Sequence, residues 1–135
     1  MVWLIIAIAV AGTLGSFTDW LFMGLLFHEA YNRHPEIWRS GIRDGGDQRA
    51  IVWSSVLGYL ITASVAGLCL IAHAKGLGVG AAVGLLASIP VSVAIAVNGL
   101  FIKLDAKITA AHCLGYSARN LLAGAAAGLA LGLHG

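Results

Sequence analysis

Residues 15–34 read GSFTDWLFMGLLFHEAYNRH. Asp19 stands inside a run that is otherwise apolar, aromatic, glycine or small hydroxyl, and Met1–Gly15 upstream carries no charged side chain. Such a run reads as a membrane span. A charge at the centre of a spanning helix costs about 2.5–3.5 kcal/mol on insertion scales. Asp19 therefore needs a partner that compensates it or a function that uses it.

The rest of the chain agrees with a membrane reading. Hydrophobic residues make up 59% of the 135 and charged residues 10%, against about 25% charged in soluble domains. That difference makes an all-α, polytopic membrane protein the expected fold class, with membrane lipid as its surroundings. The net charge of +2 is small and the basic residues are scattered, so no nucleic-acid partner is expected. The N-terminus has no basic n-region of a signal peptide, and Val2 onward reads as an uncleaved first helix.

A span needs about 20 apolar residues, and four stretches are long enough: Val2–Phe27, Ile51–Ala74, Val79–Ile102 with Pro90 in its middle, and Lys107–Leu133. The links Lys75–Gly78 and Lys103–Ala106 are short, which makes the last three stretches sequential antiparallel neighbours. One domain, a four-transmembrane-helix antiparallel bundle over residues 1–135, is expected. Residues 28–50 form its one long polar loop, with room for a short interfacial helix around Pro35–Ile42 and Trp38 at headgroup level. Cys69 and Cys113 fall in different helices, roughly 18 Å apart in depth at 1.5 Å per residue. A disulfide needs Cα atoms within about 7 Å, so two free thiols are expected.

Orientation follows from Lys and Arg. Arg33, Arg39, Arg43 and Arg49 lie in loop one, and Lys103 and Lys107 in the third link; only Lys75 lies on the other side. The positive-inside rule puts loop one in the cytoplasm and both termini outside.

With that orientation the polar residues converge on the cytoplasmic half. Asp19 lies roughly 12 Å from that end, Tyr59 roughly 12 Å, Asn98 roughly 6 Å, and His112, Tyr116, Arg119 and Asn120 roughly 8–20 Å. The last four stand at i, i+4, i+7 and i+8, on one face of the fourth helix. The second helix shows a similar stripe: Ser55, Tyr59, Thr62, Ala66, Cys69 and His73. Asp19 and Arg119 differ by roughly 6 Å in depth and are each other's natural partners. Three roles stay open for them: a structural pair fixing helix one to helix four, a substrate or proton site, or two charges that do not meet. Asp19, Tyr59, Asn98, His112, Tyr116, Arg119 and Asn120 are the candidate ligand-binding residues. The fourth helix, with a central arginine and only seven large aliphatic residues, is expected to rely on the other three.

Metal and cofactor chemistry find little support. His28 and His34 are six apart, about 120° around a helix, whereas a zinc-protease helix needs His at i and i+4. His73 and His112 belong to opposite membrane surfaces, so no pair of histidines suits a haem. No Ser/His/Asp pattern, phosphate-binding glycine loop or CxxC occurs. No metal, cofactor or catalytic residue is assigned, and the question of enzyme activity stays open. His112 reads as a hydrogen-bonded core histidine or as a proton relay.

Glycine supplies a further pattern. Gly76, Gly80 and Gly84, extended by Ser88 and Ser92, recur every four residues, as do Gly124, Gly128 and Gly132. Small residues at this spacing let helix backbones approach closely in lipid. Packing of helix three on helix four is expected, with a homodimer as the alternative use of one row. A bundle pinched on the outer side, with a pocket open toward the cytoplasm or inner leaflet, follows.

The segments GSFTDWLFMGLLFHEAYNR, AVNGLFIKLD and GYSARNLLAGAAAG resemble a bacterial four-helix integral membrane family catalogued only as a domain of unknown function. The matching positions are Gly15, Trp20, Phe22, Phe27, Asn98, Gly115 and Tyr116. Asp19-Trp20 departs from the Trp-Tyr pair that family often has there. The resemblance implies the architecture and a bacterial inner membrane, and no activity. The leading expectation is a protein that binds or transports a small solute or lipid-like ligand through a cytoplasm-facing polar pocket. The alternatives are a structural or assembly subunit of a larger membrane complex, and a membrane enzyme acting on a lipid or quinone with His112 and Tyr116 as acid/base candidates.

Overall fold

The computed structural model of the chain describes residues 1–37, 48–102 and 104–133. Helix α1, Val2–Asp19, continues without a break into a π-helical stretch, Trp20–Leu26. A short helix α2, His28–Arg33, and a 3-10 turn, Pro35–Ile37, follow. Three long helices complete the chain: α3, Gln48–Ile71; α4, Leu77–Phe101; and α5, Ala106–Gly132. No strand occurs among the described residues.

Among the described residues three helical stretches are long and apolar enough to cross a membrane: Val2–Leu26, Gln48–Ile71 and Leu77–Phe101. Helix α5 has the length, at 27 residues. Its apolarity is diluted by His112, Arg119 and Asn120 and by many alanines and glycines. Burial explains how such a helix is accommodated. Ten residues of α5 are buried, against three of α4, and α5 touches α1, α3 and α4. The outer helices instead display large apolar side chains such as Leu60, Leu86 and Phe101.

Helices α4 and α5 meet backbone to backbone. A Cβ added to Gly80 would lie 2.1 Å from the Gly124 carbonyl oxygen, and one on Gly84 would lie 2.0 Å from that of Asn120. Gly80 faces Gly124 and Gly128 while Gly84 faces Asn120 and Gly124, so the two helices run in opposite directions. The turn before α4 joins the same contact: the Gly76 N–H donates to the Gly128 carbonyl at 2.8 Å. Gly76 has φ 93, a left-handed backbone that glycine adopts without a Cβ penalty.

At this end of the molecule Leu4 of α1, Ala66 and Cys69 of α3, and Ala127 and Ala130 of α5 form one apolar cluster. Cys69 and Cys113 are both thiols; Cys69 is buried and its Sγ lies against the carbonyls of Gly80 and Gly124.

The opposite end is closed by α2. The chain breaks direction at Phe27 (φ −111, ψ 11), and Ala30 and Tyr31 bury against Ile108 and Ala111 of α5. This helix begins seven residues before the one expected around Pro35–Ile42, of which the described part is only the Pro35–Ile37 turn. Six residues are too few to show a periodic pattern, and burial of Ala30 and Tyr31 by α5 sustains the turn. Trp38 and the rest of that expected helix lie outside the described residues.

Candidate functional site

Five of the seven candidate residues fall into three neighbourhoods, and Tyr59 and Asn120 lie outside them. The first is the charge pair. Arg119 Nη2 lies 2.7 Å from Asp19 Oδ2 and 3.4 Å from Ser16 Oγ. The Arg119 side chain is 2% exposed and that of Asp19 28%. Its bed is built of glycine: a Cβ on Gly58 would stand 2.2 Å from Arg119 Nη1, and one on Gly15 2.8 Å from Nε. The guanidinium therefore fills the space between α1 and α3 that two missing side chains leave. Gly115, next to Asp19 Oδ1, Phe22 and Met23, continues this arrangement on α5.

Two buried atoms of the pair, Asp19 Oδ1 and Arg119 Nε, and one of the next residue, Asn120 Oδ1, have no hydrogen-bond partner among the described residues. Buried polar atoms are normally satisfied, because each orphan forfeits its hydration at about 1–3 kcal/mol. Asn120 lies beneath Gly84, its carbonyl facing α4.

Tyr59 does not join this group. Its hydroxyl meets Thr13 Oγ1 at 2.8 Å, and its ring packs over Gly12. The buried face of α3 is Gly58, Thr62, Val65, Ala66 and Cys69. Thr62, Ala66 and Cys69 of the expected stripe lie on that face and Ser55 is half-buried one turn before Gly58, whereas Tyr59 and His73 lie off it, with His73 in the exposed turn beyond α3.

The second neighbourhood couples α2 to α5. The Tyr31 hydroxyl is 3.0 Å from His112 Nε2, the two rings meeting edge to face. His112 in turn stacks on Tyr116, with centroids 6.4 Å apart. Burial, with Tyr116 beside it, pushes the Tyr31 hydroxyl up to about 12, so Tyr31 stays a neutral phenol at physiological pH.

The third is a groove of about 480 Å³ between α3 and α4, floored by Tyr116 of α5. Ile61, Pro90, Val91, Ala94 and Ile95 make its apolar walls, and Asn98 and Tyr116 are its polar groups. Pro90 has no N–H to donate to the Leu86 carbonyl one turn earlier. Tyr116 belongs to both the groove and the stack, so the groove connects through His112 to Tyr31.

Asp19 and Arg119 thus meet; His112 and Tyr116 share a stack; Asn98 and Tyr116 share a groove; Tyr59 stands apart. Tyr31, Ser16, Gly15 and Gly58 were not among the expected site residues. The one available signal was the glycine four residues before Asp19, which frees the space the guanidinium occupies. Among the described residues no cluster of three or more His, Cys, Asp or Glu side chains suits a metal ion. Comparison with family models, with characterised proteins and with solved structures finds no match to the chain.

Proposed function

We propose that the chain is a bacterial inner-membrane protein of four antiparallel spans, both termini outside, that binds a lipid-like ligand entering sideways between α3 and α4. The observation that carries this reading is the groove itself. Two of its walls are helices apolar and long enough to cross a membrane, so its mouth opens on acyl chains and not on water. Its five apolar lining residues suit a hydrocarbon or prenyl chain, and Asn98 and Tyr116 offer a donor and acceptors to one polar head. Helix α5 serves as the fourth span, its polar face shielded by the other three. Lysine and arginine bias places α2 and the groove's Asn98 end in the cytoplasmic half, and the resemblance noted above supports the bacterial setting.

In this reading Asp19–Arg119 is a staple between α1 and α5. A second reading, a small-solute or proton site at the pair, is favoured by the three orphaned polar atoms. Organic extraction of the detergent-purified protein, followed by mass spectrometry, separates the two. The groove reading predicts a discrete hydrophobic species in excess over bulk lipid, lost in Ala94→Trp and retained in Asp19→Asn. Loss in Asp19→Asn with retention in Ala94→Trp would favour the charge-pair site.

A further inference from the structure

A second cavity, about 280 Å³, lies at the junction of the first span, α2 and the start of α5, and is lined by Leu26, Phe27, Glu29, Ala30, Arg33 and Lys107. It combines two kinds of surface. Leu26 is the last residue of an apolar stretch long enough to cross a membrane and is 60% exposed; with Phe27 and Ala30 it makes an apolar floor. Arg33 and Lys107, brought from α2 and from the first turn of α5, supply cations beside that floor.

These cations are unequally matched. Arg33 pairs with Glu29 one turn earlier on α2. The Lys107 side chain makes no ion pair or hydrogen bond among the described residues; only its backbone N–H is bonded, to Asp105 Oδ1. Two cations and one carboxylate line the cavity, with Lys107 near enough to Glu29 to help hold that carboxylate low and the Asp105 carboxylate near Arg33 just outside the lining. The guanidinium retains donors that a single carboxylate oxygen does not occupy. Burial of Ala30 and Tyr31 against α5 fixes α2, and with it Arg33, relative to Lys107.

We infer that this cavity holds the phosphoryl group of an anionic membrane phospholipid, with Arg33 and Lys107 on the phosphate and Leu26 and Phe27 against the glycerol and upper acyl chain. Membrane-boundary geometry selects a lipid over free phosphate: the apolar floor gives inorganic phosphate nothing, while a lipid already lies at that depth. The site is separate from the α3–α4 groove and shares no residue with it, so it stands whether or not the groove binds a ligand.

Native mass spectrometry of the full chain from mixed micelles containing phosphatidylglycerol and phosphatidylcholine of equal chain length tests it. The wild type should retain phosphatidylglycerol preferentially. Lys107→Gln and Arg33→Gln should each lower that preference about fivefold, the factor expected for one basic residue near an anionic surface. Glu29→Gln should raise it, because the repelling carboxylate is gone. Circular dichroism melting of the three variants checks that each is folded, as expected for side chains exposed at the rim. Equal retention of the two lipids by the wild type, or an unchanged preference in folded Lys107→Gln, would overturn the inference. Displacement by inorganic phosphate at concentrations equal to those of the lipid would overturn the lipid as its source.

Discussion

Arg119 of α5 reaches Asp19 of α1 at 2.7 Å across a gap that Gly15 and Gly58 leave open. The pair brings two charged side chains into the packed interior of the bundle and occupies the space of two missing side chains to do so. Removing one partner leaves the other uncompensated. A fully buried pair loses about 3–5 kcal/mol when broken that way; Asp19 is 28% exposed, which places Asp19→Asn at or below the lower end of that range. The double variant Asp19→Asn/Arg119→Met should cost less than Arg119→Met and Asp19→Asn summed. Detergent melting of the four proteins gives the cycle, and strict additivity would show that the pair does not stabilise the fold.

Helical glycines should respond to alanine in opposite ways according to position. Gly67 in α3 has nothing within 4 Å of an added Cβ, and alanine there should stabilise by up to about 1 kcal/mol through helix propensity. Gly80 would drive a Cβ to 2.1 Å from a backbone oxygen of α5, and alanine should destabilise because neither backbone can yield without separating the helices. Gly128→Leu should be worse and should not change the oligomeric state. Melting temperatures and sedimentation of the three variants check this.

The end of the bundle that α2 closes carries a pH-sensitive link. His34 Nδ1 lies 2.9 Å from Glu36 Oε1 and Nε2 lies 3.4 Å from Asp105 Oδ2. The hydrogen bond to Glu36, with both carboxylates nearby, raises the His34 imidazole above its ordinary value. Asp105 is held low, first by the Lys107 backbone N–H it caps and then by His34. A raised histidine favours the folded link fully below the ordinary imidazole value, about 6.5, and loses that contribution as pH rises through its folded value. The lowered carboxylates act in the opposite sense and lose theirs as pH falls through their own depressed values. The link should be strongest on the acidic side of neutrality and loosen on the alkaline side. An NMR titration of His34 should show the raised value, and Asp105→Asn should lower it.

Topology rests on six basic residues against one. A reporter fused after residue 40 should be cytoplasmic and one fused at the C-terminus external. A cytoplasmic C-terminus would put α2 and the Asn98 end of the groove on the outer side.

The charge pair was legible because opposite charges in apolar helices at similar depth have few other partners. The inward face of α3 was legible in part. Its polar stripe put Thr62, Ala66 and Cys69 on the face that is buried, but Tyr59 lies beside that face with its hydroxyl on Thr13, and Gly58, which a polar stripe does not mark, takes the inward place next to Arg119. Helix α2 was not legible: its existence depends on Tyr31 finding His112, a contact 81 residues away in sequence. The π-helical stretch Trp20–Leu26 leaves no compositional trace, since its residues would serve equally in an α-helix. The groove at Pro90 arises from how three helices meet, which periodicity within any one of them does not encode.

Ala94 lines the proposed ligand groove, whereas Leu86, an exposed position two turns earlier on the same helix, lies outside it. A photoreactive amino acid placed at Ala94, and separately at Leu86, which is 65% exposed, tests this in intact membranes. Irradiation followed by mass spectrometry of the labelled protein should give one discrete hydrophobic adduct at position 94 and a spread of bulk phospholipids at position 86. The same spread of phospholipids at both positions would contradict the account.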